Sequence, residues 1–200
     1  MTEKVLLVNA SYRKDGNISQ AIIFCTKLLE EKNILYEIVD LKEYKIEFCT
    51  NCRSCTQNMG NSPGKCIHND EMSKIIKKIE DSKYYIFASP TNFFTVTAIF
   101  KRFLERLVVY GYWPWSKKSP KFRKEDENEK YGILIASSAM PSLMARVFTS
   151  TIKLLNQALK CVGAKKVGTL YMGIVAKKNP RLEKHHKEKL VDLVNELIKK

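Results

Sequence analysis

The sequence predicts an α/β protein, a doubly wound five-stranded parallel sheet with strand order 2-1-3-4-5. Three observations predict it. Short apolar runs, too brief for helices, alternate with stretches whose apolar residues recur at helical spacing. No internal repeat or linker divides the 200 residues, which suffice for one buried core and one domain. The turns after the first, third and fourth runs are rich in Ser, Thr, Asn and Pro, as expected where strands hand over to helices. Right-handed crossovers then leave few topologies, and this order places those three turns around one crevice at the switch point of the sheet.

Taken in order, Val5 to Val8 is the first strand, followed by a polar turn and a helix from Asn17 to Glu31 with Ala21, Ile22, Cys25, Leu28 and Leu29 inward. Ile34 to Leu41 alternates like a strand, and a cysteine-bearing loop runs from Tyr44 to Asn69. Asn69 or Asp70 can cap a helix carrying Met72, Ile75, Ile76 and Ile79. Tyr84 to Ala88 is the third strand, and Ser89 to Val96 its loop. A helix with Ile99, Phe100, Phe103, Leu104, Leu107 and Val108 inward is stopped by Trp113-Pro114-Trp115, and the charged stretch Ser116 to Lys130 reads as an exposed insertion. Tyr131 to Ala136 is strand four, with Ser137 to Pro141 as its loop. One helix from Leu143 to Val162 with Cys161 near the core, a strand from Lys165 to Gly173, and an amphipathic helix ending at Ile198 complete the chain.

The turn after strand one carries the chemistry. There the uncompensated N–H groups and dipole of the next helix can hold an anion. Ser11, Asn17 and Ser19 supply hydrogen bonds, Arg13 supplies charge, and Gly16 allows close approach, so a phosphate monoester suits it; an ordinary capped turn is the alternative. Neither G-x-G-x-x-G nor G-x-x-x-x-G-K-[ST] occurs, which disfavours a dinucleotide site and a P-loop. The net charge of +14 comes from 35 basic residues, mostly Lys, scattered among 21 acidic ones, a pattern of solvated faces rather than a nucleic-acid surface. No signal-like or membrane-length apolar run is present, so a cytoplasmic protein with no membrane partner is expected, and its six cysteines are thiols or metal ligands rather than disulfides. Cys49-x2-Cys52-x2-Cys55-x10-Cys66 has metal-ligand spacing, which leaves a [4Fe-4S] cluster, zinc and free thiols open. His68 reads as a residue of the helix-capping region, and His185 and His186 as solvated. Tyr112, Trp113 and Trp115 close the core or an interface.

Three segments in the right order resemble the flavodoxin-like NAD(P)H-dependent FMN reductase family, including its iron-sulfur flavoprotein branch. They are Asn9 to Asn17, the cysteine loop Cys52 to Met72, and Ser89 to Phe94 through Lys101 to Arg106. The resemblance implies FMN, with Ser11, Arg13, Gly16, Asn17, Ile18 and Ser19 at its phosphate. Pro90, Thr91, Asn92, Phe93, Phe94 and Thr95 would line one side of the ring system and Ser137, Ser138 and Ala139 the other. Ile18 stands where the family usually has Thr, and Asn92 where an aromatic residue is usual. It implies NAD(P)H as transient reductant, a small acceptor such as a quinone or free flavin, and a homodimer or tetramer. The alternative is an electron carrier that serves a redox protein through a [4Fe-4S] cluster on Cys49, Cys52, Cys55 and Cys66. That branch typically has a shorter last spacer, so the reductase is the preferred reading. The flavin does the chemistry, and no catalytic protein residue is nominated. Because the cysteine loop follows strand two, it is expected at the sheet edge that holds the flavin.

Overall fold

A computed structural model of the chain describes residues 3–124, 129–175 and 180–200. Its element order is β1 (Val5–Asn9), α1 (Asn17–Glu31), β2 (Tyr36–Asp40), α2 (Met72–Glu80), β3 (Tyr84–Pro90), α3 (Ala98–Arg106), β4 (Gly111–Tyr112), β5 (Lys121–Phe122), β6 (Lys130–Ser137), α4 (Ser142–Phe148), α5 (Thr151–Cys161), β7 (Ala164–Met172) and α6 (Lys184–Ile198). The main sheet runs β2-β1-β3-β6-β7, all parallel, which is the 2-1-3-4-5 order with a small hairpin inserted before its fourth strand. β1 lies inside the sheet, with Val5 opposite both Tyr36 and Tyr84.

Strands covered on both faces need apolar residues at every position, and β1 is buried throughout. Val5 and Leu7 pack with Ile86, Ile133 and Ile135 against α1 and α6. Leu6 and Val8 join Tyr85, Phe87 and Leu134 against α2, α3 and α5. Phe87, Phe100 and Phe103 meet edge-on in that second layer, the arrangement that ring quadrupoles favour. Cys25 and Cys161 belong to these layers, and burial pushes their thiols up to about 12 and about 11.

Three expectations change. The helix expected from Leu143 to Val162 is broken at Thr149, whose backbone is extended, because the Ser150 N–H donates to the Phe94 carbonyl at 2.8 Å. The stretch expected as an exposed insertion folds back: Gly111–Tyr112 pairs antiparallel with Lys121–Phe122. Lys124 is buried and its ammonium meets Glu80 at 2.8 Å, and Lys130, also buried, opens β6. The insertion's positions 125–128 lie outside the described residues. The cap position of α2 is Glu71 rather than Asn69 or Asp70, although Asp70 Oδ1 accepts from the Met72 N–H at 3.1 Å just ahead of the helix.

Candidate functional site

At the carboxyl edge of the sheet, the turn after β1 is held by its own side chains. Asn9 Oδ1 accepts from the Ser11 N–H at 3.0 Å, while its Nδ2 donates to Ser19 Oγ at 3.3 Å. Both serine hydroxyls donate to the Arg13 carbonyl, Ser11 at 3.0 Å and Ser19 at 2.7 Å, and the Gly16 N–H adds a longer bond at 3.4 Å. One carbonyl thus fixes the bend. α1 starts immediately beyond it, with Gly16 at its cap position and no capping side chain, which leaves the helix's opening N–H groups directed at the turn. A Cβ at Gly16 would come 3.2 Å from the Arg13 Cβ and 3.4 Å from Ser11 Oγ. Arg13 reaches Asp15 at 3.4 Å, and this hydrogen bond is the main cause that holds the Asp15 carboxyl below its ordinary value.

The opposite wall comes from the loops after β3 and β6. Thr91 donates its N–H to the Ser137 carbonyl at 2.7 Å, and its hydroxyl bonds Thr151 at 2.8 Å and Tyr171 at 2.6 Å. Thr97 Oγ1 donates to the Ala10 carbonyl at 3.0 Å, tying the start of α3 to the turn after β1. Ser138 Oγ donates to the Met140 carbonyl at 3.0 Å, and the Ser138 carbonyl accepts from Val175 at 3.1 Å. Gln20 fastens a further segment, its amide donating to the Pro180 carbonyl at 2.6 Å and its Oε1 accepting from the Leu182 N–H at 3.1 Å.

These loops enclose a cleft of about 310 Å³. Of the residues expected at a cofactor, the cleft brings together Ser11, Arg13, Gly16, Asn17, Ile18, Pro90, Thr91, Asn92, Ser137, Ser138 and Ala139. Ser19 lies behind the turn, buried, with its hydroxyl committed to the Arg13 carbonyl. Phe93 and Phe94 are outside the lining. They form the tip of a tight turn closed by paired Asn92 and Thr95 backbones, both at positive φ (46° and 64°) and both exposed. Thr95 also lies outside it, its hydroxyl accepting from Ser150 at 3.0 Å. Tyr12, Val175 and Pro180 line the cleft without having been singled out in the sequence, and Asn9 and Gln20 build it from behind. A polar residue closing the apolar run Val5 to Val8 was the available signal for Asn9; Gln20 left none. Among the described lining residues there is no carboxylate, histidine, lysine or cysteine.

The cysteine loop leaves the same edge but is pinned elsewhere. Arg123 donates to the Cys55, Asn58 and Gly60 carbonyls, and Gly64 donates to the Val109 carbonyl at 2.8 Å. The Arg53 guanidinium lies between Trp113, at 3.7 Å from its ring centre, and Trp115, at 4.2 Å, so within this chain those rings close onto the loop. No residue of the loop lines the cleft. Burial, then the neighbouring Cys66, Cys49 and Cys52, push the Cys55 thiol up to about 11, whereas hydrogen bonds from Ser54 lower that of Cys52. The four sulfurs form no set with ligand atoms within 4.8 Å of one another, and a tetrahedral zinc needs thiolates about 2.3 Å from one ion. Arg106 donates to Cys66 Sγ at 3.5 Å and forms a paired contact with Asp70. His68 is half-buried, and His186, which reads as solvated, is buried. No helix among the described residues is long and apolar enough to cross a membrane.

The family model for NADPH-dependent FMN reductase matches residues 3–172. An iron-sulfur flavoprotein of Archaeoglobus fulgidus is 33% identical over 114 residues, 57% of this chain and 50% of that protein. One from Clostridioides difficile is 32% identical over 105 residues, 51% of this chain and 44% of that protein. The chain therefore spans about half the length of the curated relatives it matches. In fold it is similar to an NAD(P)H:quinone oxidoreductase from Methanothermobacter marburgensis, with a TM-score of 0.69 at 15% identity over 97% of this chain and 96% of the other. With its sheet order, its edge cleft and a matching model over most of its length, the chain belongs to the NADPH-dependent FMN reductase family.

Proposed function

We propose that the cleft holds FMN and that the protein is a NAD(P)H-dependent flavin oxidoreductase serving a small acceptor such as a quinone or free flavin. One observation carries this reading: a single cleft joins an uncapped helix start, with Ser11, Arg13, Gly16 and Asn17 around it, to a wall of Pro90, Thr91 and Asn92. The donor set fits the cofactor. A phosphate dianion suits the α1 N–H groups, the Asn17 carboxamide and the Arg13 guanidinium, and the space that a Cβ at Gly16 would narrow stays open to it. Pro90 has no N–H and Thr91 has already spent its own on Ser137, so that wall meets a ring system through apolar surface and the Asn92 carboxamide. When bound, FMN supplies the hydride and electron chemistry. The chain's own groups position and shield it, since the described lining offers no carboxylate, histidine, lysine or cysteine to act as a base. The test is to add FMN to the purified chain and follow its spectrum with NADH and NADPH. Bound yellow flavin, bleached by a nicotinamide and recoloured by a quinone, supports the reading; failure to bind FMN refutes it.

A second reading, an electron carrier with a [4Fe-4S] cluster on Cys49, Cys52, Cys55 and Cys66, is supported by the names of the curated relatives and by the mutual influence of these thiols on Cys55. The separation of their loop from the cleft lining weighs against it. Anaerobic purification with iron analysis separates the two: about four irons per chain, with a flavin that neither nicotinamide bleaches, selects the carrier. Self-association into a homodimer or tetramer is part of the proposal, supported by the exposed apolar residues Leu143, Val147 and Phe148 of α4 beside the Phe94 turn. Light scattering tests it, and a monomer at micromolar concentration refutes it.

A further inference from the structure

Away from the cleft, the start of α6 gathers a different chemistry. Glu183, His185 and His186 each offer a ligand atom, and the three atoms lie within 4.8 Å of one another, the one such set of three or more His, Cys, Asp or Glu among the described residues. The two imidazole rings have centres 3.9 Å apart, and His185 Nδ1 is 3.4 Å from Glu183 Oε2. Glu183 is extended (φ −71°, ψ 158°) and its carbonyl accepts from the His186 N–H, which brings its side chain back over the first turn. His186 is 8% exposed, yet its buried Nδ1 has no hydrogen-bond partner among the described residues. Buried polar atoms are nearly always satisfied, so such a nitrogen calls for a ligand. A cavity of about 550 Å³, lined by these three residues with Ser142, Gly173 and Lys189, opens beside them.

We propose that Glu183, His185 and His186 bind a divalent transition-metal ion of borderline softness, with Zn²⁺ as the type. Two imidazole nitrogens and one carboxylate oxygen form the donor set such ions take, whereas Mg²⁺ and Ca²⁺ require all-oxygen shells. Three protein ligands leave a coordination position for water or an anion, and Lys189 at the cavity's edge favours the anion. An ion here fixes the segment that carries Pro180 into the cleft wall, because Leu182 and Pro180 are already tied to Gln20.

The full chain is titrated with Co²⁺, whose thiolate charge-transfer band distinguishes cysteine from imidazole ligation. The expected result is one Co²⁺ per chain, bound without that band and displaced by Zn²⁺. His185→Ala and Glu183→Gln, both at exposed positions, should each weaken it at least about tenfold, the loss that removal of even an outer-sphere partner brings. Their melting without metal should match that of the parent. Unchanged binding in both variants, a thiolate band from the first equivalent, or no binding at millimolar Co²⁺ would each overturn the assignment.

Discussion

Replacing Asp70 by Asn should cost the fold more than any surface ion pair can. Arg106 and Asp70 have side chains only 2% and 7% exposed, joined by Nη1–Oδ2 at 2.5 Å and Nη2–Oδ1 at 3.1 Å. Oδ2 also accepts from the Glu47 N–H at 2.7 Å. In Asp70→Asn an NH2 group takes the place of one carboxylate oxygen. If Oδ1 keeps its Met72 contact, the new donor faces two donors, and Arg106 is left as a buried charge. Breaking a buried pair in this way costs about 3–5 kcal/mol. In a chain of 200 residues that is a fall in Tm of roughly 6–20 °C, at 2–4 °C per kcal/mol. Burial raises the Asp70 carboxyl, but the Arg106 hydrogen bonds and the Glu47 N–H outweigh it and the folded value is lowered. The contribution is therefore complete above the unfolded value of about 3.9 and disappears as pH falls through the lower folded one. Calorimetry of both proteins between neutral and acid pH checks this. A loss under about 1 kcal/mol at neutral pH, the range of exposed pairs, or a difference that does not narrow in acid, refutes the reasoning. The uncompensated Arg106 charge should also make Cys66 react faster with a thiol reagent.

Arg13→Ala should weaken FMN binding by about 1.5–3 kcal/mol, a charge-assisted hydrogen bond; flavin fluorescence titration measures it. Thr97→Val removes both the cap on the Phe100 N–H and the bond to the Ala10 carbonyl. It should lower stability by about 1–3 kcal/mol, read as a shifted urea midpoint at constant slope. Phe93→Asn with Phe94→Gly relieves two left-handed residues, each costing roughly 1–2 kcal/mol, at positions 99% and 59% exposed. The double variant should melt higher, and NAD(P)H oxidation measured alongside shows what the two rings contribute to turnover.

The sheet was legible because each strand's apolar run and each helix's period are local, and parallel pairing follows from their alternation. The turn after β1 was legible for the same reason, through Ser11, Arg13 and Gly16 next to a helix start. What escaped depends on partners distant in sequence. The break at Thr149 needs the Phe94 carbonyl, and the burial of Lys124 needs Glu80. Trp113 and Trp115 offered core or interface, and their stacking partner within the chain, Arg53, stands sixty positions earlier than Trp113. Ser19 had the right chemistry for an anion, but its hydroxyl is aimed by Asn9 and Arg13 at the turn itself. His186 stands among lysines that announce a solvated face, and only tertiary packing buries it.

The hydrogen bonds that Ser11 and Ser19 concentrate on the Arg13 carbonyl, with Asn9 holding both serines in place, have a kinetic consequence. A turn already ordered before its ligand arrives does not lose conformational freedom on binding. Encounter is then governed by diffusion of a phosphate ester toward a strongly cationic protein, which quickens at low ionic strength. Variants that trim contacts around the turn should leave the on-rate nearly constant and shorten the residence time of the complex. Asn9→Ala, which loosens the turn without touching the cleft, should instead slow association, so stopped-flow traces distinguish the residues that hold the ligand from those that hold the turn.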